Sequence, residues 1–321
     1  MKISLAFILF ISLFPSLGFS QQTDSLLHKL DSLSKKTDSA GGQTNNVSAK
    51  AYNETTKLSL PTYFTLLGSD LKQAFTKPFH MKGKDWARFG RFAVFTGALI
   101  FADEPIQRFA IRTTRNNPGV KKVSDRITTF GGIGEVVVLT TFGAYGYVFK
   151  KPKMVTTTLL ATQAYITAGA VESVTKYLTG RTRPSAYGTT LDAEPKFYGP
   201  FSKPKIAGGS KSNSSFPSGH TTVVFAAATV FAKEYYDKPA VPIIAYSLAT
   251  LVGLSRIVEN AHWTTDVITG AALGFVSGRL IVNNYHRFAK IKAPSQNKNT
   301  VSFNLNYSKG ILMPGFIYKF K

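Results

Sequence analysis

Cysteine is absent from the 321-residue chain, which excludes disulfides and thiolate metal sites and leaves the sequence silent on redox compartment. Acidic residues are scarce: 17 Asp and Glu stand against 39 Lys and Arg, a formal charge of +22. Such an excess attracts polyanions, whether nucleic acid, an anionic lipid surface or a phosphorylated substrate. A further absence narrows the choice. No compact Lys/Arg run interleaved with aromatics marks a nucleic-acid module, so nucleic acid is not an expected partner. Long apolar runs are also few. Beyond the N-terminus, only residues 154 to 171 approach the roughly 20 apolar residues of a spanning helix, and that stretch holds several Thr and a Gln.

The N-terminus has Lys2, a nearly continuous apolar stretch from Ile3 to Leu17, and small residues at Gly18 and Ser20. This pattern predicts a secretory signal over 1–20, or else an uncleaved anchor, and in either case export toward the periplasm or cell envelope. Residues 21–58 are rich in Ser, Thr, Lys, Asp, Asn and Gln and read as a polar tether, in which Leu26, Leu27, Leu30 and Leu33 could form one short helix. The domain proper is expected over 59–290. There, apolar runs separated by short joints predict helices near 61–76, 86–102, 134–149, 154–178, 219–236, 240–255 and 264–288. The fold class is therefore all-α, a bundle of about six core helices. In the tail, 291–321, Val301, Phe303, Leu305 and Tyr307 alternate with polar residues before Lys309-Gly310, which predicts a short β-hairpin packed on the helical body.

Three clusters carry possible chemistry, all near expected helix ends. Lys176 and Arg183-Pro184 flank a helix C-terminus, Pro217-Ser218-Gly219-His220 opens a helix, and Ser255-Arg256 precedes His262 and Asp266. Amides at a helix N-terminus form an anion site that glycine lets the ligand approach, so Ser218, Gly219 and His220 could face a phosphate. Arg183 and Arg256 could grip phosphate oxygens through planar forks, and Lys176 would add a point charge. His262 and Asp266 have helical i, i+4 spacing, so the carboxylate could hold one imidazole tautomer and leave the other nitrogen as a nucleophile for phosphorus. His220 could then serve as general acid and base. Taken singly, each cluster has an ordinary explanation: a chance basic pair, a turn with its N-cap, a solvated helix pair. Together and in this order they point to a phosphoryl-transfer site.

The three clusters resemble the signature K-x6-R-P, P-S-G-H, S-R-x5-H-x3-D of the type 2 phosphatidic acid phosphatases, a family grouped with bacterial acid phosphatases and vanadium haloperoxidases. The resemblance covers about residues 85 to 285 and matches every signature position. It implies phosphate binding by Lys176, Arg183, Ser218, Gly219 and Arg256, with His262 as nucleophile, His220 as acid and Asp266 as the partner of His262. It also implies hydrolysis of a phosphomonoester or pyrophosphate, on a lipid or a small phosphoester, with neither metal nor cofactor. Vanadate-dependent halide oxidation and non-catalytic phosphate binding are the alternatives. An anionic membrane surface fits the charge. If residue 21 lies outside and six helices from 86 onward all span, three crossings return Arg183 and Pro217 to the cytoplasmic side. This count favours a body in the periplasm or against a membrane face. His28, His80 and His286 lack partners at ligand spacing and read as surface or interfacial residues, and Gly131-Gly132-Ile133-Gly134 reads as a helix start or tight turn rather than a phosphate loop. Asp103-Glu104, before a proline, read as charge compensation for neighbouring arginines.

Overall fold

The computed structural model describes residue 58, residues 60–288 except 189, 190, 192 and 202–212, and the backbone of 300–308 and 311–319. The expected signal, most of the tether with His28 and its short helix, and part of the long loop lie outside the described residues. From 60 to 288 the regular elements are helical: α1 Leu60–Thr76, α2 Gly83–Leu99, α3 Asp103–Asn116, α4 Pro118–Phe130, α5 Ile133–Val148, α6 Pro152–Thr179, α7 Gly219–Glu234, α8 Ala240–Val258 and α9 Thr264–Phe288.

Seven of these follow the apolar runs; α3 and α4 do not, and the expectation of about six core helices omitted both. α3 is short and polar, with Arg108, Arg112 and Arg115 along it, so it presents no apolar run to find. Its signal was the Asp103-Glu104-Pro105 start, acids in a first turn that favour the helix dipole. Asn117 separates the two, and Pro118 then opens α4, where its missing N–H costs nothing. With two further helices in the count, the number of crossings does not assign the loop of Arg183 and Pro217 to the cytoplasmic side.

The body is organised around α7, which is apolar on all sides and buried along most of its length. It packs against α6, α8 and α9, while α5 and α1 cover α6 and α4 covers α8. The main core joins Leu160, Ala161, Ala164 and Ala168 of α6 to Ala226, Ala227 and Val230 of α7 and to Ile281, Val282 and Tyr285 of α9. The tightest seam lies between α7 and α9. Gly270, Gly274 and Gly278 fall on one face of α9, where a Cβ on any of them would come within 3.0 Å of the carbonyl oxygens of Ser218, Thr222 and Ala226. Small residues at i, i+4 and i+8 let the two backbones touch. This contact fixes the head of α7 beside the head of α9.

The expected spanning stretch is corrected as well. α6 is long and puts Leu160, Ala161, Ala164 and Ala168 in the core, while Ile166, Val174, Tyr177 and Leu178 face outward, and it is not among the helices apolar enough to cross a membrane. Two other helices are long and apolar enough to cross a membrane, Ala240–Val258 and Thr264–Arg287, and α4 with α5 would add a third only as one span bent by 46°. α8 turns Ile243, Ile244, Leu248, Leu251 and Leu254 outward, an apolar face that has no protein partner among the described residues.

Candidate active site

Because the helices alternate in direction, the C-termini of α6 and α8 and the N-termini of α7 and α9 meet at one end of the bundle. α6 ends at Gly180, whose φ of +54° is a left-handed cap favouring glycine. A Cβ there would also strike Gly199 O. The chain then enters the loop carrying Arg181 and Arg183, with Ser215 N bonded to Arg181 O (3.0 Å) and Thr182 N to Lys196 O (2.9 Å).

All eight sequence-predicted residues gather at this end. Lys176 is ion-paired with Glu172, one helical turn earlier, and its Nζ lies 3.0 Å from where a Cβ on Gly219 would stand. Arg256 pairs with Glu259 and donates to Thr128 Oγ1 at 3.3 Å. Arg183 directs its fork at Ser214, Nε to Oγ at 3.3 Å and Nη2 to the carbonyl at 3.2 Å. His220 sits against the Gly131-Gly132 turn, with its Nε2 3.5 Å from where a Cβ on Gly132 would be. That glycine run is therefore a tight turn, as expected, and it forms one wall beside His220.

Ser218 is placed differently from the expectation. Its amide donates to Asp266 O at 3.0 Å and its hydroxyl pairs with Thr221 Oγ1 at 2.9 Å. Ser218 thus fastens α7 to α9, and the next amides, of Gly219 and His220, head the helix where an anion is favoured.

His262 is almost fully buried, and its Nδ1 lies 3.5 Å from Asp266 Oδ2, longer than a formed hydrogen bond. The Asp266 carboxylate is otherwise saturated: Oδ1 accepts from Arg181 Nη1 at 2.5 Å, and Oδ2 accepts from the Trp263 amide at 2.9 Å and from the Ser215 hydroxyl. Burial pulls the His262 imidazole down to about 4, with Asp266 opposing that fall. His220 is likewise lowered to about 4, first by burial and then by Arg256, Lys176 and Arg183. Both rings are therefore neutral near pH 7, which leaves His262 with a free lone pair.

The match to known proteins lies over these elements. Residues 157–290 match the model of the PAP2 superfamily, a span that contains every one of the eight residues. Over that span the chain is similar to this superfamily. A lipid A 1-phosphatase of Porphyromonas gingivalis is 48% identical over 67 residues, 21% of this chain and 15% of that protein. Phosphatidylglycerophosphatase B of Bacillus subtilis is 28% identical over 192 residues, 57% of this chain and 83% of that protein. The crystal structure of a transmembrane PAP2-type phosphatidylglycerolphosphate phosphatase from Bacillus subtilis is similar with a TM-score of 0.44 at 24% identity, covering 64% of this chain and 95% of the other. The chain spans 15%, 39% and 41% of the length of the first three curated relatives it matches.

Several residues of this site were not legible beforehand. Glu172 and Glu259 stand at i−4 from Lys176 and i+3 from Arg256, a helical spacing that signals ion pairs. Ser124 and Thr128 of α4 bond Glu259 and Ser255, and no local pattern announces them. Asp103 was expected to offset neighbouring arginines, but its partner is Arg181 at 2.6 Å, 78 residues on. His286, expected to be a surface or interfacial residue, bonds Glu234 Oε1 at 2.8 Å, a contact between helices that sequence spacing cannot reveal. Among the described residues no group of three or more His, Cys, Asp or Glu could hold a metal ion.

Proposed function

We propose that this protein hydrolyses a phosphomonoester or pyrophosphate carried on a lipid, through a phosphohistidine at His262. The observation that carries the reading is the convergence of a neutral, Asp-flanked His262 with His220, Lys176, Arg183 and Arg256 at one end of the bundle. The three cations, with the amides of Gly219 and His220, hold the phosphoryl oxygens and offset the charge that builds on them. His262 Nε2 attacks phosphorus while the bond to the leaving oxygen breaks, and His220, which takes up a proton once the bound phosphate dianion offsets the surrounding cations, gives that oxygen a proton. Water then attacks the phosphohistidine, His220 takes the water's proton, and phosphate leaves with His262 restored.

A lipid substrate is supported by where the site lies. Arg256 is within the last turn of one candidate span and Asp266 within the first turn of the next, so His262 sits in the short link between two apolar helices. A lipid phosphate occupies that depth at a membrane face, and the relatives above are named for lipid phosphates. Export, with the site facing the periplasm, is part of the same proposal and rests on the apolar N-terminus and the basic surface. The tail over 300–319 is proposed to form a hairpin, supported by its alternation and by a register pairing Thr300 with Lys319; amide exchange protection across that segment would check it.

The direct test is phosphate release in EDTA by purified protein from a soluble aryl phosphate and from detergent-dispersed phosphatidic acid, beside a His262→Ala control. The substitution should cost at least about 1,000-fold in kcat. Equal turnover by a folded His262→Ala protein would remove the nucleophile assignment.

A further inference from the structure

We propose that Arg181 and Asp103 form a positioning pair for the nucleophile, Arg181 fixing the direction of the Asp266 carboxylate and Asp103 fixing the net charge beside His262. The inference rests on the reading of His262 as nucleophile. Arg181 is fully buried, and its two Nη atoms are committed. Nη1 donates to Asp266 Oδ1 at 2.5 Å and to Thr265 Oγ1 at 2.7 Å, and Nη2 donates to Asp103 Oδ2 at 2.6 Å. The rings of Phe197, Trp263 and Phe216 stand 4.8, 5.6 and 6.0 Å from the guanidinium carbon. A guanidinium sealed in this way has no path to a substrate phosphate, in contrast to Arg183.

Asp103 closes the network from the head of α3, outside the span matched to the family model. Its Oδ1 accepts the Thr265 amide at 2.9 Å, and its Oδ2 accepts the Thr265 hydroxyl at 2.5 Å. Burial pushes the Asp103 carboxyl upward, while these bonds and the guanidinium favour its anion. With Arg181 alone, the charge of Asp266 would be cancelled by its own clamp. Two carboxylates around one guanidinium leave a single negative charge beside the imidazole. When Nε2 bonds to phosphorus with Nδ1 protonated, the ring becomes cationic, and that residual charge stabilises it.

The test compares the full-length wild type with Asp103→Asn in detergent, measuring kcat, KM for an aryl phosphate, inhibition by inorganic phosphate and the pH profile of kcat/KM. Loss of a hydrogen-bonded supporting partner should lower kcat by about 10–100-fold, with KM and the phosphate inhibition constant unchanged. The acid limb, where His262 gives up its proton, should move to lower pH. Asp266, Arg183 and Lys176, the charged groups that act directly on His262, are unaltered in the variant. Wild-type kcat, or a loss shared equally by phosphate affinity with an unmoved limb, would overturn the pair. Should Asp103→Asn not fold, Thr265→Val removes the hydroxyl between Arg181 and Asp103 and should lower kcat with KM unchanged; wild-type kcat in that variant overturns the pair equally. His262→Ala runs alongside. If it is inactive while Asp103→Asn is normal, the pair alone falls; if it is active, the nucleophile reading falls and the pair with it.

Discussion

Arg181 and Arg183 lie two residues apart in the loop after α6, yet one is shut inside the protein and the other is only half-buried. The two Nη atoms of Arg181 are bound to two carboxylates and a hydroxyl, and aromatic rings surround it. Arg183 meets the neutral Ser214 through long hydrogen bonds. Lys176 and Arg256 fall between these extremes, each sharing its charge with one glutamate of its own helical stretch. Residue type therefore does not separate a cation that binds substrate from one that organises the site. The separation comes from how strongly its present acceptors compete with a phosphate dianion, and two buried carboxylates compete far better than a serine.

Arg183→Ala gives the largest effect that would sharpen this contrast. Removing one charge-stabilising fork should cost about 100–1,000-fold in kcat/KM, with the melting temperature near that of the wild type. A variant that unfolds while its folded fraction keeps full activity would break the comparison. Next comes the seam that holds the two arginines' surroundings in register: Gly274→Ala forces a Cβ against Thr222 O and should destabilise by about 1–3 kcal/mol, read by chemical denaturation. Unchanged stability would mean that α7 and α9 can part without cost. The smallest effect is in pH. His220 is held near 4 by burial and by the three cations, and a bound phosphate dianion offsets those cations, so its proton is held to higher pH in the complex. The limb where activity falls with rising pH should therefore lie higher in kcat than in kcat/KM. Coincident limbs would show that the cations do not act on His220.

The helices carrying the signature were readable because their apolar runs are long and their ends carry Gly, Pro and charged residues at known spacings. The eight proposed site residues could be picked out for the same reason, since each lies at such an end. The support beneath them was not readable. α3 is amphipathic but mostly polar, and Asp103 finds Arg181 only after the fold brings them together. Ser124 and Thr128 are ordinary hydroxyl residues until α4 lies against the end of α8. Glu172 and Glu259 are the intermediate case, visible at helical spacing from their cations once those cations are singled out. Ser218 marks the opposite limit: its place in the signature was plain, yet its amide is spent on Asp266 O. Local pattern locates a chemical group; which of its atoms stay available depends on contacts distant in sequence.

The glycine seam between α7 and α9 also bears on how this scaffold can diversify. His220 lies in the first turn of α7 and His262 two residues ahead of α9, and the distance between those helices is set by main-chain atoms, three glycines against three carbonyls, so the spacing of their heads does not depend on side-chain choice elsewhere in the body. The loop over 180–218 and the outward faces can then change to suit a new leaving group or a different membrane, and the reacting atoms keep their distances. Substrate range is free to drift in such a molecule at positions where the chemistry is not at stake.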